Sequence, residues 1–338
     1  MNAVRPGFKP TRMIRLIQSA IDRCHLDLTG MVVLTEAATG AYVVTPVIAA
    51  MAGAAKVYAI AKGSKYGSRA EVIRQTNAAA ILARVQGRIQ IVARATKKIV
   101  NQADLVTNSG HVRPLDAIKI AWMKPTAVIP LMYEAWEFRA EDLDVDACRN
   151  KGVRIVGTNE QHPDIDVFGY LGELVMKQLM DAGISAYRSN ILLLSDNDFC
   201  PYISRTLVRA GASVDIGTDL ETHDHTKSYD AILLAMRPCG TSCLTAKAIR
   251  RIGRRWPGTV LVQFFGDLDR RSCRQAGISL WPESAPGQGH MSILPAAVGP
   301  ESTIRLQTGG LKAGEAAWRN EAKAMRKYAQ AVAGGRFR

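Results

Sequence analysis

Short apolar runs alternate with segments of helical periodicity along most of the chain. In the first half, the runs that predict strands lie near residues 31–34, 56–60, 88–92, 104–107, 127–131 and 153–156. The segments that predict helices lie at residues 11–24, 41–53, 69–85, 115–123 and 143–150. Because short apolar strands between helices are typical of a parallel sheet covered on both faces, this pattern predicts a doubly wound α/β domain over residues 1–161.

The second half of the chain repeats this alternation. An apolar-rich stretch at 162–182 predicts a long helix, which we assign to a linking segment 162–185. The strands predicted after it lie near residues 191–194, 213–216, 231–236, 259–264 and 278–280. They indicate a second doubly wound domain over 186–300. Within the remaining segment, 301–338, residues 313–333 have a helical pattern, and we expect this helix to pack back on a domain.

Polar residues follow most of the predicted strands, and they are rich in Asn, Glu and His. In an open parallel sheet, ligands bind outside the carboxyl ends of the strands. Two stretches, 31–68 and 190–216, each begin with a strand, a turn and a helix, which is the arrangement that places a phosphate at a helix N-terminus. We therefore expect the strand ends of the two domains to face each other across a cleft that holds a small polar metabolite.

Both turns have lost the glycines that usually hold a dinucleotide. A GxGxxG turn needs glycine for tight curvature and for close approach of the backbone to a pyrophosphate. The residues at its three positions in the first turn are Thr35, Ala37 and Gly40. Those in the second turn are Ser195, Asn197 and Cys200. Asp196 and Asp198 would repel phosphate in the second turn, so the first is the better candidate.

A basic loop follows the second predicted strand, where an acidic residue would hold the ribose of NAD. Lys62, Ser64 and Lys65 stand there instead. Cations and hydroxyls at this point suit a 2′-phosphate, which favours NADP over NAD. Thr39 in the first turn and Ser109 after a later strand complete the candidate cofactor-binding set. A solvated basic loop that binds no cofactor is the alternative.

Three residues at strand ends are candidates for acid–base catalysis. His111 follows Asn-Ser-Gly in a loop after a strand, where it could move a proton or contact an anion. Glu134 follows an apolar strand and could equally cap a helix. His162 precedes Pro163, so it could instead begin a helix.

The cysteines do not predict a metal site. The chain has 6 cysteines, and only Cys239 and Cys243 have a ligand-like spacing. A metal site would need a second pair or nearby histidines, for which only His223 and His225 are close in sequence. We therefore expect no metal, and a disulfide framework is not expected in a chain of this size without a secretion signal.

Composition and charge limit the expected partners. A length of 338 residues and an apolar content of 47% fit two soluble domains, and no signal peptide or membrane span is expected, so we place the protein in the cytoplasm. The formal net charge of +14 attracts phosphorylated small molecules as well as nucleic acid. No basic motif interleaved with aromatic residues is present, so a nucleic-acid partner is not favoured. The sequence leaves a homodimer open.

Residues 103–157 resemble the latter half of the nucleotide domain in D-isomer-specific 2-hydroxyacid dehydrogenases. In that family a helix ends in Met-Lys-Pro-Gly-Ala before an apolar strand, and this chain has MKPTAV at residues 123–128. The resemblance is distant and implies a Rossmann-like fold and a nicotinamide cofactor. It does not carry over the 2-hydroxyacid reaction, because Glu134 stands where the family has an arginine that binds the substrate carboxylate.

These observations predict an NAD(P)-dependent oxidoreductase of biosynthetic type that acts on a small polar metabolite. The cofactor expected is NADP, with NAD or no cofactor as alternatives. The lost glycines favour a second hypothesis, a transferase, lyase or condensing enzyme on the same fold that does no redox chemistry. A ligand-binding or nucleic-acid-binding protein on an inactive dehydrogenase fold is the third.

Overall fold

The structure is a computed structural model that describes residues 5–220 and 227–332. Two compact units divide the chain. Unit 1 comprises the residues up to Val167 together with those from Gly299 onward, and unit 2 is the intervening segment Phe168–Val298. The C-terminal segment, which the sequence set apart at 301–338, thus belongs to unit 1.

The described strands are short and mostly apolar. They are β1 Val32–Glu36, β2 Lys56–Ile60, β3 Ile89–Val92, β4 Leu105–Val106, β5 Val128–Pro130, β6 Arg154–Thr158, β7 Asn190–Leu194, β8 Ser213–Gly217, β9 Ala231–Ala235, β10 Val260–Phe265, β11 Ser279–Trp281 and β12 Ala329–Ala331. The described helices are α1 Pro10–Cys24, α2 Val44–Met51, α3 Arg69–Leu82, α4 Lys97–Val100, α5 Ala117–Trp122, α6 Val145–Lys151, α7 Leu171–Asp181, α8 Cys200–Arg209, α9 Ala246–Arg255, α10 Arg270–Gln275, α11 Glu301–Trp318 and α12 Ala322–Tyr328.

Unit 1 contains a seven-stranded sheet in the order β12-β6-β5-β4-β1-β2-β3. Strands β1 to β6 are parallel and have the order 3-2-1-4-5-6, whereas β12 pairs antiparallel with β6. This is the doubly wound order of dinucleotide-binding folds, in which successive strands are added first on one side of β1 and then, from β4 onward, on its other side. Ligands of such folds bind at the carboxyl ends of the strands beside this reversal of strand order, so a site is expected at this edge of the sheet.

Helix α11 lies at the centre of unit 1, and it is buried along almost its whole length. Three glycines let its backbone approach the sheet. A Cβ on Gly310 would lie 2.7 Å from the sulfur of Met132, and a Cβ on Gly314 would lie 3.1 Å from Pro130. Gly309 lets the helix approach the turn after β6, since a Cβ there would lie 2.7 Å from Cδ1 of Ile165. The prediction that a C-terminal helix packs back on a domain is confirmed.

Unit 2 contains a five-stranded sheet in the order β11-β10-β9-β7-β8, and all of its pairings are parallel. Strands β7 and β9 are almost entirely buried, which explains their continuous apolar sequence. The reversal of strand order falls between β7 and β9. Two doubly wound α/β units are therefore present, as the alternating pattern predicts.

Two predicted helices have different bounds in the structure. The long helix expected at 162–182 begins only at Leu171, because Asp166 has a positive φ of 48° and Phe168–Tyr170 form a 3₁₀ turn. The helix expected at 313–333 is the end of α11 followed by α12 and β12. Among the described helices, none combines the length and the apolar composition that a membrane span requires.

Candidate functional site

A carboxylate stands at the reversal of strand order in unit 1. Glu36 is the last residue of β1, and its Oε2 accepts the backbone N–H of His111, in the loop after β4, at 2.9 Å. A Cβ on the intervening Gly110 would lie 3.0 Å from the same oxygen. Glu36 thus connects the loops that follow β1 and β4, and a ligand of this fold usually binds between these loops.

His111 is half-buried beside the ends of β1 and β2. Its Nδ1 lies 3.0 Å from the carbonyl oxygen of Ala37 and 3.3 Å from that of Ile60. Two acceptors at these distances favour the tautomer with a proton on Nδ1; the N–H of Lys62 favours the other tautomer but lies farther away, at 3.4 Å. With the proton on Nδ1, Nε2 is the ring nitrogen that has a lone pair.

The first turn leaves room for an anion. The backbone N–H of Ala37 donates to the carbonyl of Ile60, and that of Gly40 donates to Oε1 of Gln75. Among the residues that the structure describes, the amides of Ala38 and Thr39 have no acceptor. Gly40 has a φ of 62° and nothing within 4 Å of the position of a Cβ. Two amides without a described acceptor, followed by an open glycine at the start of a 3₁₀ turn, fit a phosphate group.

The basic loop packs against this turn. Oγ1 of Thr39 donates to the carbonyl of Tyr66 at 3.3 Å. Ser64 closes the loop by exchanging two backbone hydrogen bonds with Gly67. The side chains of Lys62, Ser64 and Lys65 are exposed, and the ammonium of Lys65 lies 5.1 Å from the Tyr66 ring. The structure thus brings the predicted cations next to the first turn.

Thr35 and Ser109, in contrast, lie in a buried chain of hydroxyls. Oγ1 of Thr107 is 2.8 Å from Oγ1 of Thr35 and 2.8 Å from Oγ of Ser109. Next to this chain, Asn108 donates to the Tyr133 hydroxyl at 2.6 Å. The other side-chain atom of Asn108, Oδ1, is buried without a partner in the described part of the chain. An orphaned acceptor at a strand end favours a ligand with a hydrogen-bond donor.

Three carboxyl groups gather where β5 and β6 end. Glu134 is 2% exposed, and its two oxygens accept the backbone N–H of Glu160 at 3.0 Å and the indole N–H of Trp136 at 2.9 Å. It also begins the 3₁₀ turn that ends at Glu137. These two hydrogen bonds connect the side chain to the loop after β6 and to the 3₁₀ turn. The carboxylate therefore holds two elements together as well as being a candidate base.

The other two carboxyls of this cluster bind protons more tightly than usual. Burial raises the pKa of Glu137 to about 7, and the charge of Glu134 adds to the effect. Burial also raises the pKa of Glu160 well above its usual range, with Glu137 and Glu134 as further causes. Burial likewise raises the pKa of the nearby Tyr42 phenol to about 12, with Glu36, Tyr66 and Glu160 contributing. Burial therefore favours the protonated forms of Glu137 and Glu160.

Glu137→Gln should weaken the dependence of stability on pH. Since the Glu137 carboxyl has a pKa of about 7 when folded and 4.5 as its reference value, the folded protein holds a proton there that the unfolded chain releases. Its contribution to the free energy of unfolding therefore falls as the pH rises from about 4.5 to 7, by about 3 kcal/mol. Urea unfolding at pH 5 and pH 8 measures this change.

The exposed Glu141→Gln is the matched control for this experiment. It should keep the pH dependence of the wild type. Equal losses of stability between pH 5 and pH 8 in the wild type and in Glu137→Gln would contradict the raised pKa.

His162 lies in a turn after β6. Its Nδ1 accepts the backbone N–H of Asp164 at 3.3 Å and lies 3.6 Å from Oδ2 of the same residue. Its ring centroid is 4.8 Å from that of Tyr328, whose hydroxyl donates to Asp164 at 2.6 Å. These contacts give His162 a packing role in the turn, and its role as a catalytic residue stays a prediction.

The second turn, in unit 2, places the acidic side chains of Asp196 and Asp198 where a phosphate would lie. Oδ1 of Asn197 accepts the N–H of Phe199 at 3.0 Å, and Pro201 in the first turn of α8 has no N–H. At the reversal of strand order, Oδ1 of Asp196 accepts the N–H of Arg237 at 2.8 Å. This contact repeats, in unit 2, the one that Glu36 makes in unit 1. The second turn does not fit a pyrophosphate.

Cys239 and Cys243 lie in the loop after β9. Hydrogen bonds between Cys239 and Thr241 lower the pKa of Cys239, whereas burial raises that of Cys243 to about 11. His223 and His225, the histidines considered as their partners, lie outside the described residues. Within residues 5–220 and 227–332, no group of three or more His, Cys, Asp or Glu residues is arranged to hold a metal ion.

Sequence reasoning did not select four residues that the structure places at this edge. They are Glu36, Tyr42, Asn108 and Glu160. The position of Glu36 between Thr35 and Ala37 in the degenerate turn was a usable signal, since an acid there is unexpected beside a phosphate. Asn108 and Glu160 belong to the polar residues that follow predicted strands, whereas the place of Tyr42 beside Glu36 and Glu160 is recognisable only in the folded chain.

Comparison with solved structures supports the fold. The chain is similar to a dipicolinate synthase polypeptide from Bacillus halodurans, with a TM-score of 0.54 and 12% identity over 83% of this chain and 96% of that one. The corresponding dipicolinate synthase polypeptide from Bacillus subtilis gives a TM-score of 0.54 and 12% identity over 89% and 99%. NAD-dependent formate dehydrogenase from Staphylococcus aureus, in complex with NAD, gives a TM-score of 0.52 and 11% identity over 90% of this chain and 99% of that one.

The sequence matches no protein-family model and no curated protein. The structural similarity, at these identities, concerns the fold alone. The predicted likeness to Rossmann-fold dehydrogenases is confirmed at that level.

Proposed function

We propose that this protein is an oxidoreductase that uses a pyridine nucleotide, with NADP preferred, to act on a small polar metabolite. The observation that carries the proposal is the edge of the unit 1 sheet. There, an open turn with two free amides lies beside an exposed basic loop, and His111 lies next to the strand reversal. The similarity in fold to an NAD-dependent formate dehydrogenase solved with NAD supports the same class.

The residues of unit 1 have complementary roles in this proposal. The amides of Ala38 and Thr39, with the open space at Gly40, would hold the phosphates. Lys62 and Lys65, with Ser64, would hold the 2′-phosphate. The nucleotide, when bound, supplies or accepts the hydride. The predicted site in a cleft between the domains stays a prediction.

His111 is the residue that we assign to proton transfer. A proton on Nδ1, held by the carbonyls of Ala37 and Ile60, fixes the ring and leaves Nε2 as the base. Glu134 is less suited, because both of its oxygens already accept hydrogen bonds. We assign Glu137 and Glu160 a different role. Because burial raises their pKa values, their protonation would determine the net charge at this end of the sheet.

Lys62→Glu should weaken the binding of NADPH about tenfold or more and change the binding of NADH less than about threefold. The physical reason is that only NADPH carries the 2′-phosphate, which the introduced carboxylate would repel. Fluorescence titration of both nucleotides against the full chain measures the two dissociation constants. Lys98→Glu, at another exposed lysine, is the control for the change in net charge. Equal effects on the two nucleotides would contradict the assignment of the 2′-phosphate.

A second function is favoured by a specific observation. In both units an acidic side chain accepts a backbone N–H across the reversal of strand order, from His111 to Glu36 and from Arg237 to Asp196. These contacts place negative charge where a dinucleotide of this fold has its pyrophosphate. A transferase, lyase or condensing enzyme that uses the same fold without redox chemistry would explain them. Absence of NADPH and NADH binding near 1 mM in the same titration would select this second function.

A further inference from the structure

Unit 2 contains a cavity of about 310 Å³ that the proposed function does not use. The cavity lies at the carboxyl ends of β9 and β10, where the loops after these strands meet the N-terminus of α10. The polar residues that matter for its chemistry are Ser242, Gln263, Asp267, Asp269, Arg270 and Gln288. Its volume is at the lower end of the range for sites that bind small molecules.

Arg270 places a buried cation in the wall of this cavity. The residue is 9% exposed. Its Nη1 donates to Oε1 of Gln263 at 2.8 Å, and its Nη2 donates to the carbonyls of Pro282 and of Glu283, the latter at 2.9 Å. All three acceptors are neutral, and Arg270 forms no ion pair with any described residue. A guanidinium has five N–H groups, so two remain for a ligand.

The desolvation of this cation is not offset by a neighbouring carboxylate. Burial lowers the pKa of Arg270, and the like charge of Arg274 lowers it further. A buried charge without a partner is costly, and an anion in the cavity would remove most of that cost. A planar guanidinium pairs best with a carboxylate or a phosphate.

Asp267 places an opposite charge in the same wall. Its Oδ1 accepts the backbone N–H of Gly289 at 2.9 Å. Its Oδ2 is buried and has no partner among the described residues. The remaining acid of the cavity, Asp269, is already engaged, because both of its oxygens accept hydrogen bonds from Ser272. Asp267 is therefore the acid of the cavity wall that has an oxygen without a hydrogen-bond donor from any described residue.

Arg270 and Asp267 thus line one cavity without forming an ion pair with each other. A ligand that carries both an anionic and a cationic group would satisfy them together, whereas a simple anion would leave Asp267 unpaired. A phosphate would in addition be repelled by the two acids. We propose that this cavity binds a small α-amino acid as its zwitterion, with the carboxylate on Arg270 and the ammonium on Oδ2 of Asp267. The proposal is independent of the proposed function of unit 1.

The experiment is a calorimetric titration of the full chain with each of the twenty common amino acids. We expect saturable binding of at least one of them, with a dissociation constant below about 1 mM. The analogue that lacks only the ammonium and the analogue that lacks only the carboxylate should each bind at least about tenfold more weakly. For alanine, these probes are propionate and ethylamine.

Two substitutions then assign the two charges. Arg270→Gln and Asp267→Asn should each weaken the binding of that amino acid at least about tenfold. Asp267→Asn retains an oxygen for the N–H of Gly289, and Arg270→Lys retains a cation if Arg270→Gln does not fold. The exposed Arg271→Gln is the matched control and should bind as the wild type does.

Two results would overturn the proposal. One is the absence of saturable binding for all twenty amino acids at about 10 mM. The other is binding that survives unchanged in Asp267→Asn, or in Arg270→Gln where that variant folds, since the ligand would then lie elsewhere. Loss of nucleotide binding in the titration of unit 1 would leave these outcomes unaffected, so the two proposals fail separately.

Discussion

Glu315→Leu should lower the free energy of unfolding by about 3–5 kcal/mol, because it leaves the buried ammonium of Lys312 without its carboxylate partner. Lys312 and Glu315 lie one turn apart on α11 and are 5% and 3% exposed. Nζ of Lys312 donates to Oε2 of Glu315 at 2.9 Å and to the carbonyl of His25 at 2.8 Å. The same oxygen of Glu315 accepts the N–H of Asp27 at 3.1 Å. Without Glu315, Lys312 keeps a single neutral acceptor in the core of unit 1.

The double variant Lys312→Met/Glu315→Leu should recover most of the lost stability, since it removes both charges and keeps the volume apolar. Urea unfolding followed by circular dichroism measures each change. Asp146→Leu, which breaks an exposed ion pair with Arg149, is the control and should cost less than about 1 kcal/mol. A double variant as unstable as the single one would show that packing, and not the stranded charge, determines the loss.

The alternation of apolar and polar residues predicted most of the fold. The bounds of β2, Lys56–Ile60, agree with the prediction, because a strand buried on both faces has a continuous apolar sequence that ends at polar residues. The order of the strands did not follow from the sequence, since order depends on which helices cross which face of the sheet. The reversal between β1 and β4, which locates the candidate site, therefore came from the structure.

The C-terminal segment shows where local patterns mislead. Gly309 and Gly310 break the helical pattern, so the sequence placed the start of the helix at 313, whereas α11 begins at Glu301. In the structure these glycines let the helix approach Ile165 and Met132 closely. A glycine that serves tertiary packing has the same local signature as a helix end.

Part of the candidate site could likewise be predicted from the sequence, and part could not. The basic loop and the first turn were identifiable, because both lie directly after strands in the sequence. The carboxyl cluster was not, because the contact between Glu134 and Glu160 joins residues 26 positions apart, and neither sequence context is unusual. The pKa of Glu137 likewise depends on burial that only the folded chain creates.

Gly157→Ala should cost about 3 kcal/mol or more, because strand β6 has no space for a side chain at this residue. A Cβ there would lie 2.7 Å from both the Cβ and the backbone N of Ala135 and 2.8 Å from its Cα. A backbone neighbour cannot rotate away, so the segment that follows Glu134 must move. That movement should weaken the hydrogen bond from the Glu160 amide to Glu134, which is 3.0 Å long in the native fold.

Two measurements separate this local effect from a general loss of stability. Hydrogen exchange of the Glu160 amide should accelerate in Gly157→Ala by more than the loss of global stability explains, because the acceptor has moved. Gly87→Ala is the matched control: a Cβ there meets nothing within 4 Å, and its φ is not positive. It should change the free energy of unfolding, and the opening free energy obtained from exchange of the Glu160 amide, by less than about 1 kcal/mol. Equal losses of unfolding free energy for the two variants would mean that the segment from Glu134 to Glu137 moves aside without a cost in stability. The carboxyl cluster would then not be a fixed feature of the site.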